Sequence, residues 1–75
     1  AQSGSGMLTE DQARAVVLQR VPGASGTDIR LKLDEDDGRM EYEGWLDFDG
    51  MEYEFKIDAY SGAVLEWEAD SVSNP

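Results

Sequence analysis

The stretch "RMEYEGWLDFDGMEYEFKID", residues 39–58, contains two alternating runs on either side of Asp49-Gly50. A period of two is typical of β-strands that have one buried face. Asp-Gly between two such runs indicates a two-residue hairpin turn, because both residues tolerate the positive φ that this turn requires. Every second position is apolar or glycine, at Met40, Tyr42, Gly44, Leu46 and Phe48 and then at Met51, Tyr53, Phe55 and Ile57.

This turn predicts the register of the hairpin. It pairs Phe48 with Met51, Leu46 with Tyr53, Gly44 with Phe55, and Tyr42 with Ile57. Every inward residue then meets an inward residue, a condition that a register shifted by one would violate. On the other face the same register places Asp47 opposite Glu52, where two like charges are mildly unfavourable.

A further strand is predicted before this hairpin, where Ile29, Leu31 and Leu33 alternate with charged residues. A turn over residues 35–38 is expected to close it onto the central strand. The pairs that follow are Leu33 with Met40, Leu31 with Tyr42, Lys32 with Glu41, and Arg30 with Glu43. On its other side Glu43 lies opposite Lys56, so the predicted sheet holds this glutamate between two cations.

Residues 9–12, Thr-Glu-Asp-Gln, have the pattern of a helix N-terminus. Thr9 and Gln12 can exchange the two hydrogen bonds of a capping box, and Leu8 precedes the cap as in a hydrophobic staple. Pro22-Gly23 ends the helix, because proline disfavours helical geometry in the residue before it. Buried positions at helical spacing are Ala13, Val16, Val17 and Val21. The predicted fold class is α+β: one N-terminal helix packed on a three- to four-stranded antiparallel meander sheet.

The run 63–67 predicts a fourth strand at the edge of the sheet, with Leu65 and Trp67 turned inward. Residues 58–62 before it predict a structural corner, since Asp58 can accept hydrogen bonds from backbone N–H groups and Gly62 can adopt a positive φ. A chain of 75 residues holds one domain at most. That domain is expected at 7–68, between a flexible leader or linker at 1–6 and a flexible tail at 69–75.

The chain carries 17 Asp and Glu residues against 6 Lys and Arg residues, a formal net charge of −11. Nucleic acids and anionic membrane surfaces carry charge of the same sign, so neither is expected as a partner. No apolar run reaches the roughly 20 residues that span a bilayer, so membrane insertion is not expected. A basic protein surface is the partner that this charge favours.

An enzyme is not expected, because the chain has no His and no Cys. Its serines therefore lack an imidazole, and its carboxylates lie mostly on a solvated strand face that would not raise their pKa. Residues 34–38 begin like an EF-hand calcium loop, but Arg39 and Trp45 stand where that loop requires Gly and Glu. No cofactor and no regular metal site are predicted. Weak binding of a divalent cation is kept as an alternative.

Trp45 is the strongest candidate for a binding residue, since the alternation points it to the outer face of the central strand. An aromatic anchor with a charged rim is typical of protein interfaces. Packing over the aliphatic stems of Arg30 or Lys56 is the alternative interpretation, and the sequence leaves both open. The acidic residues around this position are Glu43, Asp47 and Glu54.

Two other features are candidates for partner binding. Tyr60 lies at the predicted corner, where its side chain is expected to be exposed. The unpaired edge of the first or last strand offers a second mode of binding, because a partner strand can add to it. The oligomeric state is left open.

Two stretches, "LTEDQARAVVLQRVPGA" at 8–24 and "GRMEYEGWLDFDGMEYEFKIDAYSGAVLEWE" at 38–68, carry a resemblance to the PepSY domain family. The resemblance covers about residues 7–68. The matching features are the leading helix with Ala13 and Ala15, the pair Pro22-Gly23, Tyr42 in the central strand, and Ile57-Asp58 followed by Gly62 and Val64-Leu65.

The resemblance implies a helix packed on an antiparallel sheet, in a noncatalytic domain of the kind found in propeptides of secreted peptidases and in other exported bacterial proteins. It also implies a protein partner, a restrained protease in the family's proposed role, and a location outside the cytoplasm, secreted or at the cell envelope. The alternative function is that of a structural accessory domain of a larger cell-envelope protein, with no ligand of its own.

Overall fold

One helix precedes four strands in the computed structural model, which describes residues 6–72. The strands form one antiparallel sheet in the order β1-β2-β3-β4, which confirms the α+β class and the meander. All of the predicted leader except Gly6, and residues 73–75 of the predicted tail, lie outside the described residues. The elements are α1 at Glu10–Arg20, a single 3₁₀ turn at Gly26–Asp28, β1 at Ile29–Asp36, β2 at Arg39–Phe48, β3 at Met51–Asp58 and β4 at Val64–Ser71.

The helix begins with the predicted capping box. The backbone N–H of Gln12 donates to Thr9 Oγ1 over 3.1 Å, and the backbone N–H of Thr9 donates to Gln12 Oε1 over 2.8 Å. These two bonds satisfy donors that a helix N-terminus otherwise leaves unpaired. Ala13 and Val17 are fully buried against the sheet, so α1 covers one of its two faces.

The β2–β3 register is the predicted one in all four pairs. Its Asp49-Gly50 turn has φ values of 54° and 77°, as a two-residue hairpin of this kind requires. Gly44 makes room for the buried ring of Phe55, because a Cβ there would lie 2.5 Å from two of the ring carbons.

The predicted β1–β2 register is wrong by two residues. Asp37-Gly38, with φ values of 55° and 81°, forms a two-residue turn like that of Asp49-Gly50, in place of a turn over residues 35–38. A shift of two keeps every side chain on its predicted face but changes its partner. The observed pairs include Asp36 with Arg39, Asp34 with Glu41, Leu33 with Tyr42, Lys32 with Glu43, and Arg30 with Trp45.

The fourth strand is longer than predicted. Residues 69–71, expected in the tail, pair with β3, and the backbone N–H of Val72 donates to the Gly50 carbonyl over 3.0 Å. Trp67 turns inward as predicted, and its ring centroid lies 5.5 Å from those of Tyr53 and Phe55. Leu65 does not turn inward, because a register shift between Lys56 and Ile57 leaves it unpaired and 37% exposed.

A tight corner joins β3 to β4 at residues 59–63. Asp58 Oδ1 accepts hydrogen bonds from the backbone N–H groups of Tyr60, over 2.8 Å, and Ser61, over 2.9 Å. Gly62 has a φ of 80°, and its N–H donates to the Asp58 carbonyl. Hydrogen bonding to the charged form holds the pKa of Asp58 below its usual range.

Candidate functional site

The face of the sheet opposite α1, called the outer face below, carries the side chains that alternate with the core. Its carboxylates outnumber its basic groups, so much of the negative charge of the chain lies on this side. Its residues are Arg30, Lys32, Asp34 and Asp36 on β1, Arg39, Glu41, Glu43, Trp45 and Asp47 on β2, Glu52, Glu54, Lys56 and Asp58 on β3, and Glu66, Glu68 and Asp70 on β4.

A row of alternating charge crosses the middle of the outer face. It runs Lys32, Glu43, Lys56, Glu66 across the four strands. Lys56 Nζ lies 3.9 Å from Glu66 Oε2, and this carboxylate is the largest cause of a raised pKa at Lys56, which burial opposes. Such exposed pairs contribute little to the stability of a fold. The row holds two basic and two acidic groups, so its formal charge is zero.

The next rows toward the Asp49-Gly50 turn are different. Trp45 is half-buried and stands between Arg30 and Glu54 on the neighbouring strands. A shallow depression of about 450 Å³ is lined by Trp45, Arg30 and Glu52. Beyond it, three carboxylates lie directly opposite one another across three strands, at Asp47, Glu52 and Asp70. The aromatic ring is therefore bordered by negative charge that no basic residue in that row compensates.

The predicted binding residues only partly come together. Glu54 is the cross-strand partner of Trp45, and Glu43 precedes it by two residues on the same face of β2. Tyr60 is 54% exposed but lies at the β3–β4 corner, at the far end of β3 from the turn that Trp45 approaches. The corrected register places Arg30 opposite Trp45. Both interpretations of Trp45, partner anchor and cross-strand packing, stay predictions.

Glu41 is a residue that the sequence did not single out. It is 6% exposed, and no group within residues 6–72 donates a hydrogen bond to its buried Oε1. The expected register gave it Lys32 as a partner, whereas the structure places Asp34 and Asp58 on its two sides. Only the correct turn at Asp37-Gly38 would have revealed this row of three carboxylates.

Within residues 6–72, no group of three or more acidic, His or Cys side chains is arranged to hold a metal ion. Over the same part of the chain, no helix has the length and apolar character needed to cross a bilayer.

A capped helix on one face of a four-stranded meander, with the other face open and acidic, defines a small α+β domain of the class that the resemblance implied. The chain belongs to the PepSY family: the model described as "Peptidase propeptide and YPEB domain" matches residues 7–68. Domains of this family occur in extracytoplasmic proteins and are generally noncatalytic and propeptide-like.

Two curated relatives are similar in sequence. The uncharacterized protein YkoJ of Bacillus subtilis is 36% identical over 64 residues, which cover 84% of this chain and 36% of the relative. The uncharacterized protein Spy1430 of Streptococcus pyogenes serotype M6 is 29% identical over 69 residues, which cover 89% of this chain and 53% of the relative. The chain thus spans about a third of one relative and half of the other. No solved structure matches it.

Proposed function

We propose that this domain is a noncatalytic protein-binding module that works outside the cytoplasm, and that the outer face around Trp45 is its binding surface. The observation that carries the proposal is the half-buried Trp45 beside the uncompensated row of Asp47, Glu52 and Asp70. Binding hot spots are enriched in tryptophan, tyrosine and arginine. Like charges directly opposite one another destabilise the unbound domain. A basic partner would relieve this repulsion.

The partner we propose is a secreted or envelope protease that the domain restrains, in keeping with the propeptide-like character of the family. Negative charge around the ring favours a basic patch on that protease. Complementary charge of this kind speeds encounter, and the effect weakens as salt screens it. Association should therefore slow as ionic strength rises, while the dissociation rate changes little.

Restraint by binding needs no chemistry from this domain. The chain has no His or Cys to activate a nucleophile. The corner carboxylate of Asp58 accepts two backbone N–H groups at Oδ1, and its lowered pKa makes it a weaker base.

A second candidate function is that of a structural accessory domain within a larger envelope protein. The chain covers only 36% and 53% of its two relatives, so the domain occurs there beside other sequence. In this role Trp45 packs on its cross-strand neighbour Arg30 and binds no partner.

Capture with matched variants separates the two functions. Wild type, Trp45→Ser and Leu33→Ser are immobilised and exposed to the extracytoplasmic fraction of the source organism, and retained proteins are identified by mass spectrometry. Leu33 is the control, since it is 41% exposed and lies on the opposite face of the sheet. Binding predicts a protein kept by wild type and Leu33→Ser but lost by a folded Trp45→Ser, and peptidase activity that falls when the domain is added. Equal capture by all three favours the structural role.

A further inference from the structure

Glu41 lies in a small recess at the Asp37-Gly38 end of the outer face. The recess has a volume of about 170 Å³ and is lined by Glu41, Asp36, Asp37 and Arg39. That volume equals roughly five to six water molecules at about 30 Å³ each, enough for the head group of one side chain. It is separate from the depression beside Trp45, which different residues line.

The carboxylate of Glu41, which lines this recess, is buried and incompletely hydrogen-bonded. Only 6% of the residue is exposed, and its Oε1 has no donor from any described residue. Solvent does not reach Oε1 in this conformation, so a ligand reaches it when the side chain turns toward the recess. The partners across both neighbouring strands, Asp34 and Asp58, are acidic as well. Lys56 acts on Glu41 through charge, since Glu41 helps to raise the pKa of Lys56, but no hydrogen bond reaches Oε1. A buried polar atom without a hydrogen bond is costly, and the cost is relieved when an N–H donor reaches it.

We infer that this recess receives the guanidinium group of an arginine on the partner protein, an inference that rests on the proposed function. A guanidinium is planar and carries five N–H donors, so it can serve the carboxylates of Glu41 and its recess neighbours Asp36 and Asp37 together. Asp58 takes less part, because its Oδ1 already accepts two backbone N–H groups.

Two internal cations compete for this role. Lys56 acts through charge, since Glu41 and Asp36 help to raise its pKa. The other is Arg39. It lines the recess, yet no ion pair within 4.0 Å joins it to Glu41 among the salt bridges found in residues 6–72. Its positive charge acts on Asp58, where it helps to lower the pKa. If Arg39 served Glu41, its removal would destabilise the fold and leave external binding unimproved. If it only competes for the recess, its removal would strengthen external binding.

The geometry also sets the spacing of the partner surface. Glu41 and Trp45 lie four residues apart on the same face of β2. At about 3.3 Å per residue this separation is roughly 13 Å. The partner therefore presents an arginine about 13 Å from the group that covers Trp45.

The test uses small probes and needs no knowledge of the partner. Acetyl-arginine amide is titrated into ¹⁵N-labelled domain, with acetyl-citrulline amide as the uncharged probe of the same shape and calcium chloride as a separate cation. Wild type is compared with Glu41→Gln, with Arg39→Gln and with the control Glu68→Gln, an exposed carboxylate on β4. The melting temperature of each variant is measured in parallel.

We expect saturating shifts of amides near residues 36–41 with the arginine probe and none with citrulline. Glu41→Gln should weaken this binding at least tenfold, because it removes the carboxylate that the guanidinium pairs with. Glu68→Gln should leave binding unchanged, and Arg39→Gln should strengthen it. Shifts spread evenly over the acidic residues, or saturation by calcium in place of arginine, would overturn the inference.

A separate comparison distinguishes this inference from the proposed function. The captured partner is titrated into Glu41→Gln and into Trp45→Ser. If only Trp45→Ser loses affinity, the arginine recess is refuted and the binding face stands. If neither variant loses affinity, the binding face itself is refuted.

Discussion

The hydroxyl of Tyr42 donates a 2.7 Å hydrogen bond to the carbonyl oxygen of Leu8, across 34 residues of sequence. The backbone N–H of Leu8 donates in turn to the carbonyl of Ala59, and the N–H of Ala59 donates to that of Met40. The central strand, the β3–β4 corner and the segment before α1 are therefore joined by one chain of hydrogen bonds. Burial raises the pKa of Tyr42, and Glu10 adds to the effect.

Tyr42→Phe should destabilise the domain by about 1 kcal/mol, because it removes this bond and leaves the Leu8 carbonyl without that donor. Urea unfolding followed by tryptophan fluorescence measures the loss. Tyr60→Phe is the matched control, since Tyr60 is 54% exposed, and it should change stability by less than about 0.5 kcal/mol. Equal losses for the two variants would refute the role of the Tyr42–Leu8 bond.

Gly44→Ala should destabilise the domain by about 1–3 kcal/mol, as overpacking of a core does. The added Cβ would lie 2.5 Å from two carbons of the Phe55 ring and 2.8 Å from Leu31 Cδ2. Gly26→Ala is the control, because there the nearest atom lies at 3.7 Å, an ordinary contact. In thermal unfolding, the melting temperature should fall for Gly44→Ala and not for Gly26→Ala. An unchanged melting temperature of Gly44→Ala would mean that the Phe55 ring does not lie over Gly44.

Gly62→Val should destabilise the fold strongly and more than Gly38→Val does. Both glycines have nearly the same φ, 80° and 81°, so both variants incur the cost of a branched side chain in the left-handed region. Only at Gly62 does the added Cβ also approach a neighbour, Leu8 Cδ1 at 3.3 Å. Melting temperatures give the comparison. Unchanged melting of Gly62→Val together with loss of partner binding would show that the corner serves binding and not structure.

The pH dependence of stability should contain a contribution from Asp58. The N–H groups of Ser61 and Tyr60 hold its pKa in the folded state below the ordinary value of 3.8. A lowered pKa means that this carboxylate stabilises the fold above the unfolded-state pKa, and that the stabilisation disappears as pH falls through the folded-state pKa.

Asp58→Asn should therefore lower stability at neutral pH, and the difference from wild type should shrink in acid. Urea unfolding between neutral pH and pH 2 follows the change. Asp70→Asn removes the same charge but leaves the corner hydrogen bonds in place, and it should not lower stability at neutral pH. A constant difference between Asp58→Asn and wild type at every pH would contradict the assignment.

The two hairpins show how far the sequence determines register. Asp49-Gly50 is flanked directly by apolar alternation, so its turn and all four predicted pairs were correct. Asp37-Gly38 is the same kind of turn, but residues 34–36 before it are all acidic and give no alternation to align. The predicted β1–β2 turn was two residues too long. Each side chain of β1 was therefore placed on the correct face of the sheet but opposite the wrong residue of β2.

The candidate site was predicted in part for the same reason. Alternation alone placed Trp45 on the outer face with Glu43 and Glu54 nearby. The exposed position of Tyr60 was also predicted. Its separation from Trp45 was not, because it depends on the length of β3. The burial of Glu41 depends on its neighbours in β1 and β3, and a mistaken register hid one of them.

Calorimetric titration of the captured partner into wild type, Trp45→Ser and Leu33→Ser tests the central claim most directly. If the outer face around Trp45 is the binding surface, Trp45→Ser should lose about 2 kcal/mol or more of binding free energy, roughly thirtyfold in Kd, while Leu33→Ser binds as wild type does. A Trp45→Ser variant that is folded and binds within about twofold of wild type would contradict the claim.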